Sequence, residues 1–275
     1  MFFDKRFDGE YNRLMVWEEM RSEFFEDLSE EMVGHLLEDL YPWEVLKILK
    51  SLLHDTIEQL PRIVPIKRPL AEPLFLTEEG EVFPVVELEE SEGVFYYRGR
   101  PLKGALLHAG VVLMGRKIYF GPGVIVEPYA LIEEPCYFSD NSQIRHASYV
   151  RGAVYTGKGA VIGHTTEVKN SLFLSGSKAA HFAYVGDSIL GRGVNLGAGT
   201  KLANLKFLKK DITLEIGGNR VNTGLKKLGA ILGDKVQTGC NAVLQPGTLL
   251  GKGSLVYPGK TPSSGYYPPR SKIKG

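Results

Sequence analysis

The chain has little cysteine, no long apolar run and no net charge to speak of. Two cysteines in 275 residues, Cys136 and Cys240, exclude a disulfide-stapled scaffold and suit a reducing compartment. No window approaches the ~18 uninterrupted apolar residues of a membrane span. The opening MFFDKRFDGEYNR carries charge where a secretory signal needs an apolar stretch, so a cytoplasmic location is expected. With 33 basic and 32 acidic residues, no overall field draws the chain to nucleic acid or to a membrane, and neither is expected as a partner. A charged ligand must therefore be met by a few local side chains.

Glycine is abundant, at 32 residues against 15 prolines, and calls for many tight turns. Apolar residues return at helical spacing from about 18 to 60, as in PWEVLKILKSLLHDTIEQLP, with Pro42 suited to a first turn and Pro61 to a stop. Residues 1–60 therefore read as a helical segment. Residues 61–102 read as a short β adaptor, with a hairpin around Glu79 and Gly80 in LFLTEEGEVFPVVEL and another strand in GVFYYRGRP.

Beyond residue 102 a repeat of six takes over. Steps of six from Met114 through Leu174 to Ala180 meet an apolar residue every time except at Thr156. After a slip the register resumes at Leu190, Leu196 and Leu202, and after a break it returns at Leu232, Thr238, Leu244, Leu250 and Val256. Six fits neither a helix nor a strand alone. It fits a coil of three short strands, each turning one aliphatic side chain inward before a corner relieved by a small residue. The expected fold is mainly β: a left-handed parallel β-helix of hexapeptide repeats over 103–260, preceded by the helical segment. It is interrupted by an insertion at 203–229 and followed by a basic tail at 261–275. Such prisms associate laterally, and a homotrimer with clefts between neighbours is expected.

The stretch EVKNSLFLSGSKAAHFAYVGDSILGRGVNLGAGT, 167–200, resembles the acetyltransferase half of the bifunctional UDP-N-acetylglucosamine-synthesising enzymes. In those the pattern is close to E-M-K, then K-A-G-H-x-x-Y-x-G-D, then N-x-G-A-G-T. The likeness runs from Arg151 to Asn204 and resumes in LGAILGDKVQTGCNAVLQPGTLLGKGSLVYPG. The longer insertion is more similar to that of the archaeal sugar-1-phosphate nucleotidylyltransferases. The resemblance implies transfer of acetyl from acetyl-CoA, as co-substrate, to the amine of an amino-sugar phosphate such as glucosamine 1-phosphate.

An attacking amine must lose a proton, and a histidine supplies a base of near-neutral pKa. The resemblance places His181 as that base, Glu167 as the carboxylate orienting it, and the N–H of Ala198 as an oxyanion donor. It assigns Arg151 and Lys169, one coil apart, to the phosphate, and Tyr184, Asn195 and Asn204 to the sugar. Cys240 and Ser254 fall on the acetyl-CoA channel, and Lys260, Arg270, Lys272 and Lys274 are cations for the CoA phosphates. Two positions depart from the pattern: Cys240 stands where the family has serine, and Leu205 where an aromatic residue follows the asparagine.

The first hundred residues hold no G-x-G-T-R loop and are short for a nucleotidyltransferase head, so uridylyl transfer would fall to a separate nucleotidyltransferase, which is also a possible partner. A metal reading starts from His146, His164 and His181, spaced 18 and 17 apart, but the H-x4-H pair of zinc-binding hexapeptide-repeat enzymes is missing, and no metal is expected. The helical segment is expected to cap the prism or to dock a partner. The reading from a second class is a non-catalytic trimeric prism that binds a sugar phosphate or nucleotide sugar.

Overall fold

In a computed structural model the chain is described over residues 17–208, 210–216 and 218–274. The first sixteen residues of the expected helical segment lie outside that range. The central body is a parallel β-helix of about nine coils, each made of three short strands that stack into three long sheets. Face one runs through nine parallel rungs from Gly104–Leu107 to Lys272–Ile273, and includes Val161–His164, Lys178–His181 and Asn195–Leu196. Face two holds Leu131–Glu133, Tyr149–Arg151, Glu167–Lys169, Tyr184–Gly186 and Lys201–Leu202 among its seven strands. Face three carries Cys136–Phe138, Val154–Thr156, Ser171–Phe173, Ile189–Leu190 and Ala230–Leu232. Each strand is only two to four residues long, so its ladder is cooperative only as part of the stack.

The inward register follows the repeat of six but corrects it in two places. Leu113, not Met114, points into the core: Leu113 is fully buried and pairs with Ile132, whereas Met114 is exposed. Further on, Phe173 and Ala179 occupy the interior in place of Leu174 and Ala180. The cause is a shortened corner. The chain turns from face two to face three through Gly152 and Ala153 in one coil, but through Asn170 alone in the next, at φ 43°. Phe173 therefore stands between Thr156 and Leu190 in the ladder, and the coil contains seventeen residues where the one before it has eighteen, as the partner pairs Ile144–Ile162 and Ile162–Ala179 require. Leu174 is still buried, on the outer side of face three.

That outer side explains the helices. Residues 17–24 form α1, Gly34–Asp39 α2 and Pro42–Thr56 α3. In α3, Val45, Leu46, Leu49 and Leu53 are buried in one stripe, each Leu contributing roughly 2 kcal/mol on burial. With Phe24 and Leu37 they pack against Tyr155, Leu172, Leu174, Ile189, Ile231 and Leu249. The helices thus cover a lateral face of the prism. Its open first end is closed instead by Leu60, Val64, Leu70, Leu74 and Leu76, which join the inner core. The hairpin of Leu74–Thr77 and Val82–Pro84 adds antiparallel strands to the end of face one.

Two carboxylates fasten the helical segment. Glu31, itself buried, accepts from the Tyr155 hydroxyl at 2.9 Å and from the Ser175 N–H at 2.7 Å. Asp234 accepts from the N–H groups of Glu26 at 2.8 Å and Arg192 at 2.7 Å. Burial pushes its carboxyl above the usual range, against the pull of these two donors. The insertion forms a hairpin of Thr213–Ile216 and Asn219–Asn222, whose Ile212, Leu214 and Val221 join the same outer cluster. Residues 261–273, expected as a loose tail, instead add another coil: Gly265–Tyr267 extends face three and Lys272–Ile273 face one.

Replacing Glu31 leaves a buried hydroxyl and a buried N–H without their acceptor. Glu31→Ala is expected to destabilise docking of the helical segment by about 2–3 kcal/mol. Hydrogen exchange should show residues 17–56 opening well before the coils; uniform protection across both would contradict this role.

Candidate active site

The edge between faces one and two is built from a repeated pair of residues. Successive coils turn it at Pro128–Tyr129, His146–Ala147, His164–Thr165, His181–Phe182, Ala198–Gly199, Cys240–Asn241 and Pro258–Gly259. The second residue of each of the first six pairs has positive φ, between 47° and 74°, and Gly259 has 68°. Its N–H donates to the carbonyl of the first residue one coil back: Phe182 to His164 and Gly199 to His181, both at 3.0 Å, and Asn241 to Ala198 at 2.8 Å. These bonds stack the first residues in a column. His181, exposed, therefore stands between His164 and Ala198, with Cys240 next along. The N–H of Ala198 has no acceptor among the described residues, which leaves a donor free one rung from His181.

Face two carries the polar groups. Outward positions on adjacent strands align Tyr149 with Glu167 and Glu167 with Tyr184, which puts Arg151 beside Lys169 in the next row. The two cations are thus one coil apart on one face. Arg151 Nη1 lies 2.8 Å from Glu167 Oε1, and its guanidinium lies 5.7 Å from the centre of the Tyr149 ring. Lys169 Nζ is 3.2 Å from Asp187 Oδ2, which also accepts from Asn204 Nδ2, while Asp187 Oδ1 accepts from Asn170 Nδ2 at 2.9 Å. Gly186 leaves a gap in the row beside Lys169. A methyl there would meet the Tyr184 hydroxyl and the Asn204 amide, each at 2.7 Å. The phenol of Tyr184 and the amide of Asn204 therefore close over this glycine. Burial first, and then the charge of Asp187, raises the Tyr184 pKa, so this hydroxyl stays a proton donor through the physiological range.

The structure thus gathers Arg151, Lys169, Tyr184 and Asn204 on one face, with His181 and Ala198 on its edge. Glu167 is on the same face but its carboxylate engages Arg151, and the His181 ring has no hydrogen-bond partner among the described residues. Asn195 lies on face one, aligned with Lys178 and Gln237. The cofactor set is dispersed. Cys240 is exposed in the edge column. Lys260 follows the last turn of that edge, Lys272 and Lys274 belong to the last rung of face one and the residue after it, and Arg270 sits at the far corner of face one with φ 61°. Ser254 is fully buried and donates to the Gly251 carbonyl at 2.7 Å, so its hydroxyl is spent on a corner. Among the described residues no three His, Cys, Asp or Glu are placed to share a metal ion.

Asp187 is absent from the residues singled out in the sequence, although it stands at the aspartate that ends the K-A-G-H-x-x-Y-x-G-D pattern. It binds Lys169, Asn170 and Asn204 at once and is only 6% exposed. Its place at the final aspartate of that pattern was the sequence signal that could have found it. An apolar hollow of about 350 Å³, lined by Phe75, Val94, Phe95, Leu106 and Val124, lies on the flank of the first coils, away from these groups.

Comparison with known proteins bears on this region. Residues 132–255 match the family described as GMPPB C-terminal domain. The "Bifunctional sugar-1-phosphate nucleotidylyltransferase/acetyltransferase" of Sulfurisphaera tokodaii is 42% identical over 112 residues, which is 41% of this chain and 28% of that protein. The "Bifunctional protein GlmU" of Methanococcus vannielii is 37% identical over 109 residues, 40% of this chain and 26% of that protein. Another "Bifunctional protein GlmU", from Wigglesworthia glossinidia brevipalpis, is 25% identical over 231 residues, 81% of this chain and 48% of its own length. The C-terminal region of the chain is therefore homologous to bifunctional proteins of this kind. The chain spans between about a quarter and a half of the length of these relatives.

Asp187→Ala would strand an ammonium and two amides in a half-buried pocket. A loss of about 2–3 kcal/mol in denaturant unfolding is expected, with the asparagine variant losing less because it keeps one acceptor. Parent-like stability in the alanine variant would mean that this cluster holds nothing together.

Proposed function

We propose that the chain is an acetyl-CoA-dependent N-acetyltransferase acting on an amino-sugar phosphate, with glucosamine 1-phosphate as the acceptor, in a homotrimer. The observation that carries this reading is the convergence of Arg151, Lys169, Tyr184 and Asn204 on face two with His181 and the unpaired N–H of Ala198 on its edge. The acetyltransferase named in the Sulfurisphaera relative supports it.

In this reading Arg151 and Lys169 hold the phosphate, and their ion pairs with Glu167 and Asp187 keep the two cations in place before the ligand arrives. Tyr184 and Asn204, which close over Gly186, fix the sugar with their phenol and amide. His181 Nδ1 or Nε2 takes the proton that the amine loses as nitrogen bonds to the acetyl carbonyl carbon. The Ala198 N–H meets the charge that develops on the carbonyl oxygen. Acetyl-CoA supplies the thioester, whose carbon–sulfur bond breaks to release CoA thiol. Its residues of contact are Cys240 along the edge and Lys260, Lys272 and Lys274 near the last coils. A flat face and a convex edge enclose no substrate by themselves, and a neighbouring prism in the trimer would supply the other wall. A separate nucleotidyltransferase would then take the acetylated product onward.

One observation favours a non-catalytic sugar-phosphate-binding prism instead: the carboxylate expected to orient His181 is bonded to Arg151. Release of CoA thiol from acetyl-CoA separates the two. Acceptor-dependent release with glucosamine 1-phosphate is expected, falling by about a hundredfold or more in kcat for His181→Ala while the oligomer persists. A folded parent protein with no release for any amino-sugar phosphate would favour the binding prism.

A further inference from the structure

Two imidazoles on the edge between faces one and two are stacked and locked; a third, one coil on, is not. The rings of His146 and His164 have centroids 5.3 Å apart and planes within 9° of parallel. Nδ1 of His146 is 3.1 Å from the Pro128 carbonyl, and Nδ1 of His164 is 3.2 Å from the His146 carbonyl. A carbonyl only accepts, so each Nδ1 carries the proton and each ring leans back toward the preceding coil. The repeat offers His181 the same seat, since its main chain is aligned with that of His164. Yet among the described residues the His181 ring makes neither a hydrogen bond nor a ring contact.

Phe182 fills that seat. Its ring meets His164 edge-on, with centroids 5.2 Å apart and planes at 75°. The two preceding coils carry Ala147 and Thr165 at this corner position, with side chains too short to cover a ring. Tyr129 closes the other end of the stack in the same way, edge-on to His146 at 5.7 Å. Stability alone gives little reason for a phenylalanine here. It is 57% exposed, and at φ 51° a bulky side chain is strained.

We infer that Phe182 is a positioning residue: by occupying the place on His164 to which the repeat would draw His181, it keeps the His181 imidazole free to work beside Ala198. The inference rests on the acyltransferase reading for its consequence, but not for its geometry. A ring drawn back toward His164 would be fixed as the Nδ1–H tautomer and would lean away from the Ala198 N–H on the following coil. Base and oxyanion donor would then no longer serve one substrate.

Phe182→Ala tests this, and the fold should accept it because Ala147 occupies the equivalent corner at φ 55°. A crystal structure of the variant is expected to show the His181 ring stacked on His164, with Nδ1 about 3 Å from the His164 carbonyl. In CoA-release assays with glucosamine 1-phosphate, kcat should fall at least about tenfold while the acceptor KM stays within about twofold, since binding on face two is untouched. Phe182→Tyr should restore both ring position and kcat, as Tyr129 already caps the other end. A His181 ring unmoved in the alanine variant, or parent-level kcat, would overturn the inference. If the parent protein transfers no acetyl group, the functional reading falls, and the position of the ring alone decides this one.

Discussion

Everything in this molecule depends on main-chain hydrogen bonds between successive coils. Strands of two to four residues have no stability of their own, but each rung pairs with the rung before and after it, and the inner side chains stack in the same order. A residue's place on the surface is therefore fixed by its place in the coil. That is why residues seventeen or eighteen apart become neighbours: Arg151 and Lys169, His164 and His181, His181 and Ala198. Corners must adjust to keep this spacing. The single-residue turn at Asn170 removes one residue from a coil without disturbing the rungs on either side of it.

The three faces have different fates for physical reasons. Face three presents aliphatic and aromatic side chains outward, and α1, α2, α3 and the insertion hairpin cover them, held by Glu31 and Asp234. Face two presents paired charges and hydroxyls, which water or a polar ligand can satisfy. Face one is mixed, with Lys178 and Asn195 in one outward row. Lateral contact between copies of the chain would accordingly use faces one and two and the edge between them, where the candidate groups lie. Arg151 with Glu167, both well exposed, adds little to stability, whereas the buried cluster around Asp187 does more.

The β-helix was legible because its period is rigid: an inward aliphatic residue every six positions cannot be mistaken for a helix or an isolated strand. What the period hides is where corners change length: a longer corner after Leu113 put Met114, and the shorter one at Asn170 put Leu174 and Ala180, one residue out of register. The hairpin at Glu79 and Gly80 was legible from its turn residues, and α3 from its apolar stripe. That the helices lie along face three was not, because an amphipathic stripe says what it needs to bury but not against which surface. At the candidate site, the alignment of Arg151 with Lys169 follows from spacing alone. The ion pair of Arg151 with Glu167, the burial of Ser254 and the triple role of Asp187 do not, since each depends on side-chain direction and on neighbours a coil away. The basic residues near the C-terminal end were legible as charge, but their incorporation into a last coil depends on pairing with residues 248–256.

The central claim, that the stacked coils build one sugar-phosphate site from face two and its edge, is tested most directly by a crystal structure with glucosamine 1-phosphate and CoA. The account predicts the phosphate against Arg151 and Lys169, the sugar against Tyr184 and Asn204, and the amine within hydrogen-bond reach of His181, with the thiol beside Ala198 and Cys240. A sugar phosphate bound at the insertion, on face one or in the hollow beside Phe75 and Phe95 would contradict it.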